Sequence, residues 1–132
     1  MGLIFGLASD MLNRTLAGKL ITLAEGFPVV TVTGPRQSGK TTLVREVYPQ
    51  YVYLNLENID TMLAAKEDPR AFLAGYEDQG VIIDEAQKVP ELFSYLQGIV
   101  DESGRMGRYI LTGSKNFLLL EQITQSLAGR VA

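Results

Sequence analysis

The sequence predicts an α/β layer fold with a mostly parallel sheet. Short β-branched apolar runs alternate with segments of helical period. A glycine-rich turn, Gly34 to Thr41, separates the first such run from a helix. An acid pair, Asp84-Glu85, stands at the tip of a later run, where ligands of parallel sheets bind.

The elements follow in order. Leu12, Leu16, Leu20 and Leu23 recur at helical spacing and predict an amphipathic helix over residues 9–24, ended by Gly26 and Pro28. The first 26 residues are thus an N-terminal helical segment. Ahead of that helix, Gly2 to Ala8 is apolar and reads as a start segment or part of the helix. It is too short to span a membrane and lacks the basic start of a signal peptide. Phe27 to Thr33 has the β-branched, apolar character of a buried parallel strand, strand one. Apolar residues at helical spacing resume from Thr41 to Tyr48 and stop before Pro49. Tyr51 to Leu56 is strand two, and residues 58–76 are helical pieces interrupted at Asp68-Pro69. Val81-Ile82-Ile83 is strand three. Leu92, Leu96, Ile99 and Val100 predict a helix beginning near Pro90. Tyr109 to Thr112 is strand four, and Leu120, Ile123 and Leu127 mark a last helix that stops at Gly129.

Composition narrows the chemistry. The chain has 132 residues, 46% of them hydrophobic and 20% charged, which is the balance of one globular domain. It contains no cysteine and no histidine. Disulfides, thiolate nucleophiles, Ser-His-Asp triads and most transition-metal sites are thereby excluded. The lack of cysteine suits a cytoplasmic protein. A net charge of −3 offers no overall basic excess for coating nucleic acid, although a local basic face stays open.

Gly34-Pro35-Arg36-Gln37-Ser38-Gly39-Lys40-Thr41 fits the nucleotide phosphate-binding loop. Gly34 and Gly39 let the backbone curl close to a phosphate. The curled backbone and the following helix aim N–H groups and a positive dipole end at the anion. Pro35, Arg36, Gln37, Ser38 and Thr42 complete the cofactor-binding set. Lys40 is placed for the β- and γ-phosphates and Thr41 for Mg²⁺. Asp84, at the tip of strand three, is the second metal-holding candidate, acting through water, and Glu85 is the candidate general base. A surface-exposed acid pair is the plainer reading of the same two residues.

Residues 84–87 read Asp-Glu-Ala-Gln rather than the Asp-x-x-Gly of guanine enzymes, and no Asn-Lys-x-Asp occurs, so ATP is favoured over GTP. Ser114 and Asn116, with Thr112 behind them, either sense the γ-phosphate or cap the next helix. Asn55 is a candidate restraint on Glu85. Arg130 and Arg36 could face a transition-state charge; Arg130 also suits a helix C-terminus, and Arg36 could stay in solvent.

On these residues the chain resembles the prokaryotic AAA-superfamily ATPases whose phosphate loop reads Gly-Pro-Arg-Gln-x-Gly-Lys-Thr-Thr. The matching segments are Phe27 to Leu43, Asp68-Pro69-Arg70, Val81 to Pro90, Leu111 to Ser114 with Asn116, and Ser126 to Arg130. The resemblance implies a three-layer P-loop NTPase fold of the additional-strand, catalytic-glutamate class, with sheet order 5-1-4-3-2. It implies Mg²⁺-dependent ATP hydrolysis, and it carries the roles of Lys40, Thr41, Asp84 and Glu85 onto matching positions. Lys115 departs from the small residue or Gln usual in the family. The family also continues into a fifth strand and a separate C-terminal domain. The chain therefore reads as an N-terminal ATPase fragment that drives or gates that domain or another partner. Its strand one is expected to be an exposed edge, inviting a second copy. A nucleotide-dependent binding switch, with nucleic acid as one conceivable partner, is the alternative. A small-molecule kinase is a third reading, but no arginine-rich acceptor lid is evident.

Overall fold

The structure, a computed structural model, describes residues 3–4, 10–35 and 39–113. Its elements are β1 (Leu3–Ile4), α1 (Asp10–Gly26), β2 (Val29–Thr33), α2 (Lys40–Val47), β3 (Val52–Asn55), α3 (Ile59–Glu67), α4 (Pro69–Ala74), β4 (Val81–Asp84), α5 (Leu92–Ser103) and β5 (Tyr109–Gly113), with a 3₁₀ turn at Ala86–Lys88. The five strands form one parallel sheet in the order β1-β2-β5-β4-β3. The four strands foreseen in the sequence are β2, β3, β4 and β5, and they lie in the expected 1-4-3-2 order.

Period-two alternation divides the sheet between two helical layers. Val29, Leu54, Val81, Ile83, Tyr109 and Leu111 face a core built with Ala65, Leu73, Leu92, Phe93, Leu96 and Val100 of α3, α4 and α5. Val30, Val32, Ile82 and Ile110 face the other core, with Leu16, Leu20 and Ala24 of α1 and Leu43 and Val44 of α2. Residues of even number on β4 and β5 therefore look toward α2, and residues of odd number look away.

Local chemistry sets the boundaries. Asn58 caps α3 by accepting the Thr61 N–H at 3.1 Å, and Asp68 caps α4 by accepting that of Ala71 at 3.1 Å. Pro69 occupies the first turn of α4, so the predicted break at Asp68-Pro69 becomes two capped helices. Gly104, at φ 64, ends α5. Gly107, at φ 66, lies so close to α1 that a Cβ there would meet the Ala24 carbonyl oxygen at 2.7 Å. That contact fixes the start of β5 beneath the end of α1.

The N-terminal end corrects two expectations. Leu3 and Ile4 form a strand, not part of a helix, and pair with Val32 and Thr33. They occupy the side of β2 where the resemblance placed a fifth strand. All five residues of β2 are buried, so strand one is not the exposed edge expected of it. The physical reason is available in the sequence: Leu3-Ile4 is an uncharged, β-prone pair that satisfies backbone groups β2 would otherwise leave open. The predicted last helix lies outside the described residues. Among the described residues, no helix is long and apolar enough to cross a membrane.

Candidate functional site

The phosphate-loop segment joins the carboxyl end of β2 to α2. Gly34 is buried and its N–H donates to the carbonyl of Gly113, at the end of β5, over 3.3 Å. Gly39 has φ 91 and ψ 4, left-handed values that a side chain strains to adopt. It is the N-cap residue of α2 and offers no side chain to cap the helix. No carboxylate stands in the first turn to offset the positive end of the dipole. Lys40 opens that turn. Its side chain is buried, and its ammonium donates to the Pro35 carbonyl across the loop at 3.3 Å. Thr41 is half-buried and Thr42 exposed. Leu43 and Val44, buried one turn later, anchor the helix on Ile82 and Ile110.

Asp84 ends β4 on the α2 side of the sheet and is 9% exposed. Each carboxylate oxygen accepts one hydroxyl. Thr112 of β5 donates to Oδ1 at 2.6 Å, and Tyr53 of β3 donates to Oδ2 at 2.6 Å. Burial, and then the bond to Asp84, push the Tyr53 phenol well above its ordinary pKa of 10.0, so it remains a donor. These two partners, among the described residues, are uncharged, so their hydrogen bonds hold the carboxylate without cancelling its charge.

Glu85 follows in a left-handed conformation, φ 57 and ψ 46, and is buried. It is the one non-glycine residue with positive φ among those described. Such strain in a side-chain-bearing residue is a recurrent mark of functional sites. It breaks the strand and begins the 3₁₀ turn, in which Gln87 donates its side-chain N–H to Glu85 Oε2.

The profile of an AAA domain matches residues 26–132. The chain belongs to the AAA domain family. Two uncharacterized mycobacterial proteins, from Mycobacterium bovis and Mycobacterium tuberculosis, are each 39% identical to it over 123 residues. The match covers 90% of this chain and 27% of each relative, so the AAA domain described here spans about a quarter of their length.

In this AAA domain Lys40, Asp84 and Glu85 all stand at or just past the carboxyl ends of parallel strands, Lys40 after β2 and the acid pair at the end of β4. The buried charged side chains among those described are Lys40, Asp84, Glu85 and Arg108. The first three belong to the two motifs, and charged groups are rarely so buried unless paired. Arg108 precedes β5 at the opposite end, where it donates to the carbonyls of Tyr76 and Glu77. Asn55, the candidate restraint on Glu85, ends β3 in register with Asp84. Its Oδ1 accepts the Glu57 N–H at 2.9 Å and shapes the turn after β3. Arg36, Gln37, Ser38, Ser114, Asn116 and Arg130 lie outside the described residues.

Sequence reasoning missed Tyr53 and Gln87 as partners of the acid pair. Gln87 was visible two residues from Glu85, within reach of a tight turn. Tyr53 had no local signal, because its contact depends on β3 lying beside β4. A cavity of about 420 Å³ lies along the same face, lined by Thr41, Thr42, Arg45, Tyr51, Tyr53 and Ile82. Another, about 490 Å³, lies by α5 near Arg70, Tyr95 and Glu102, on the other face of the sheet and apart from both motifs.

Mg²⁺ suits these residues. It takes oxygen ligands, keeps several waters and uses one or two protein groups with substrate phosphates rather than a closed cage. A hydroxyl at Thr41 and a carboxylate oriented by two hydroxyls at Asp84 match that demand. Among the described residues no group of three or more acids could hold a metal by itself.

Proposed function

We propose that this domain binds ATP with Mg²⁺ and hydrolyses its terminal phosphoanhydride. The observation that carries the reading is the burial of Lys40, Asp84 and Glu85 at the carboxyl ends of a parallel sheet, beside an uncapped helix N-terminus. Lys40 would exchange the Pro35 carbonyl for the β- and γ-phosphate oxygens. Thr41 and Asp84 would hold Mg²⁺, which neutralises charge on the phosphates when bound. Glu85 would accept a proton from water as that water attacks the γ-phosphorus. The bond to the β–γ bridging oxygen then breaks, and ADP leaves with the electron pair.

Glu85 favours turnover over a switch that only binds. Its backbone strain and its bond from Gln87 hold one carboxylate in one place, which a base requires and a passive switch does not. The relatives extend well beyond the matched segment, which supports an ATPase cycle that drives or gates another part of a longer protein. ATP is preferred to GTP on the Asp-Glu-Ala-Gln sequence at residues 84–87.

Thermal unfolding of the wild type with Mg-ATP, Mg-GTP and no nucleotide tests the reading. Mg-ATP is expected to raise the melting temperature more than Mg-GTP and to be consumed, with release of phosphate. No shift with either nucleotide would remove the phosphate-loop assignment.

A further inference from the structure

A metal-holding aspartate is useful only if its carboxylate is held at one angle. The torsion that rotates it is soft and roughly two-fold, so the orientation must be imposed from outside. Here it is imposed from both neighbouring strands. Thr112, adjacent on β5, holds Oδ1, and Tyr53 holds Oδ2 from β3, both at 2.6 Å. These are short bonds of the charge-assisted kind.

The Tyr53 contact spans a diagonal. Tyr53 is in register with Ile82, while Asp84 is in register with Asn55. Only a side chain as long as tyrosine, on the same face as Asp84, covers that two-residue step. Its ring is held in turn by Arg45, whose guanidinium carbon lies 4.1 Å from the ring centroid. Arg45 stands four residues after Thr41 on α2, on the same helix face. Thr41, Arg45 and Tyr53 line one cavity. A continuous set of contacts therefore runs from Arg45, on the helix of one candidate metal ligand, through Tyr53 to the other. The cation over the ring also withdraws electrons from the phenol and strengthens its O–H as a donor.

We propose that Tyr53 is a positioning residue for magnesium: its hydroxyl, opposed by that of Thr112, sets the orientation of Asp84 and couples it to the phosphate-loop helix through Arg45. This rests on the nucleotide reading above. Tyr53 does not touch the phosphates in this scheme. It acts on metal affinity, as outer partners of metal ligands do.

The test is Tyr53→Phe in the full chain, which keeps the ring under Arg45 and removes one oxygen. Mg²⁺ is titrated at fixed ATP, following both the melting temperature and phosphate release, with ATP in EDTA as the metal-free arm. The half-saturating Mg²⁺ concentration is expected to rise about tenfold, while the shift given by ATP in EDTA stays at the wild-type value. A Mg²⁺ curve that coincides with the wild type, whatever the melting temperature of the ligand-free variant, would overturn the assignment and leave Tyr53 a structural role. Should this variant not fold, Arg45→Gln takes its place with the same outcomes: a raised half-saturation supports the coupling, and a coincident curve overturns it. A wild type that ignores ATP at every Mg²⁺ concentration sinks the nucleotide reading, and this assignment with it.

Discussion

Gln87 donates its side-chain amide to Glu85 Oε2 across one intervening residue, inside a 3₁₀ turn that the left-handed backbone of Glu85 itself begins. The residue with the strained backbone and the residue that steadies its carboxylate are thus placed by the same turn. Glu85 is buried, so without that amide its carboxylate would face a larger desolvation cost.

Glu85→Gln keeps the shape of the side chain and removes its basicity. ATP binding is expected to persist, while turnover falls about 10²- to 10⁴-fold, the usual worth of a general base. Phosphate release under saturating Mg-ATP measures it. A rate equal to that of the wild type would take the base role away from Glu85. Gln87→Ala is expected to lower turnover by less, since it loosens the carboxylate without deleting it.

Lys40→Ala is expected to lose most of the stabilisation that Mg-ATP gives. A ligand at about 100 times its dissociation constant adds about 2.7 kcal/mol to the folded state. Deleting the ammonium leaves phosphate charge that backbone dipoles only partly offset. Equal melting shifts for variant and wild type would contradict the placement of Lys40 on phosphate.

Gly39→Ala tests the turn itself. At φ 91 a Cβ crowds the following carbonyl, which costs about 1–2 kcal/mol. The unfolding free energy of the ligand-free protein in urea is expected to fall by that amount, as a lower midpoint at unchanged slope, and ATP affinity to fall with it. An unchanged midpoint would show that the loop relaxes freely.

Alkaline stability follows from Tyr53. Its phenol is raised above 10.0 in the fold, first by burial and then by Asp84, so the folded state keeps the proton longer than the unfolded chain does. The stabilisation is complete below pH 10 and is lost as pH rises above it, where the unfolded chain ionises first. Tyr48, Tyr51 and Tyr109 are raised as well, each chiefly by burial, so the wild type declines for several reasons. Tyr53→Phe is expected to decline less steeply than the wild type in urea midpoints taken between about pH 9 and pH 11. Parallel declines would remove Tyr53 from the alkaline transition.

What the sequence determined alone was what depends on neighbours along the chain. The segment from Gly34 to Thr41 reads as a phosphate loop because glycine, lysine and threonine stand at the fixed offsets that a backbone wrapping a phosphate requires. Runs such as Val29 to Thr33 and Val81 to Ile83 read as buried strands because every position is apolar or β-branched. The break at Asp68-Pro69 follows from a cap and a ring that cannot continue a helix. The strand order came from resemblance. Tertiary structure alone decided the rest. Leu3-Ile4 is too short to show any period, and only the open side of β2 makes it a strand. Tyr53 looks like an ordinary strand residue until β3 lies beside β4 and its hydroxyl reaches diagonally across the pair to Asp84. Thr112 gains its partner through the same sheet order. Local patterns encode which face a residue occupies, but a hydrogen bond between residues 31 positions apart exists only once the sheet has closed the distance.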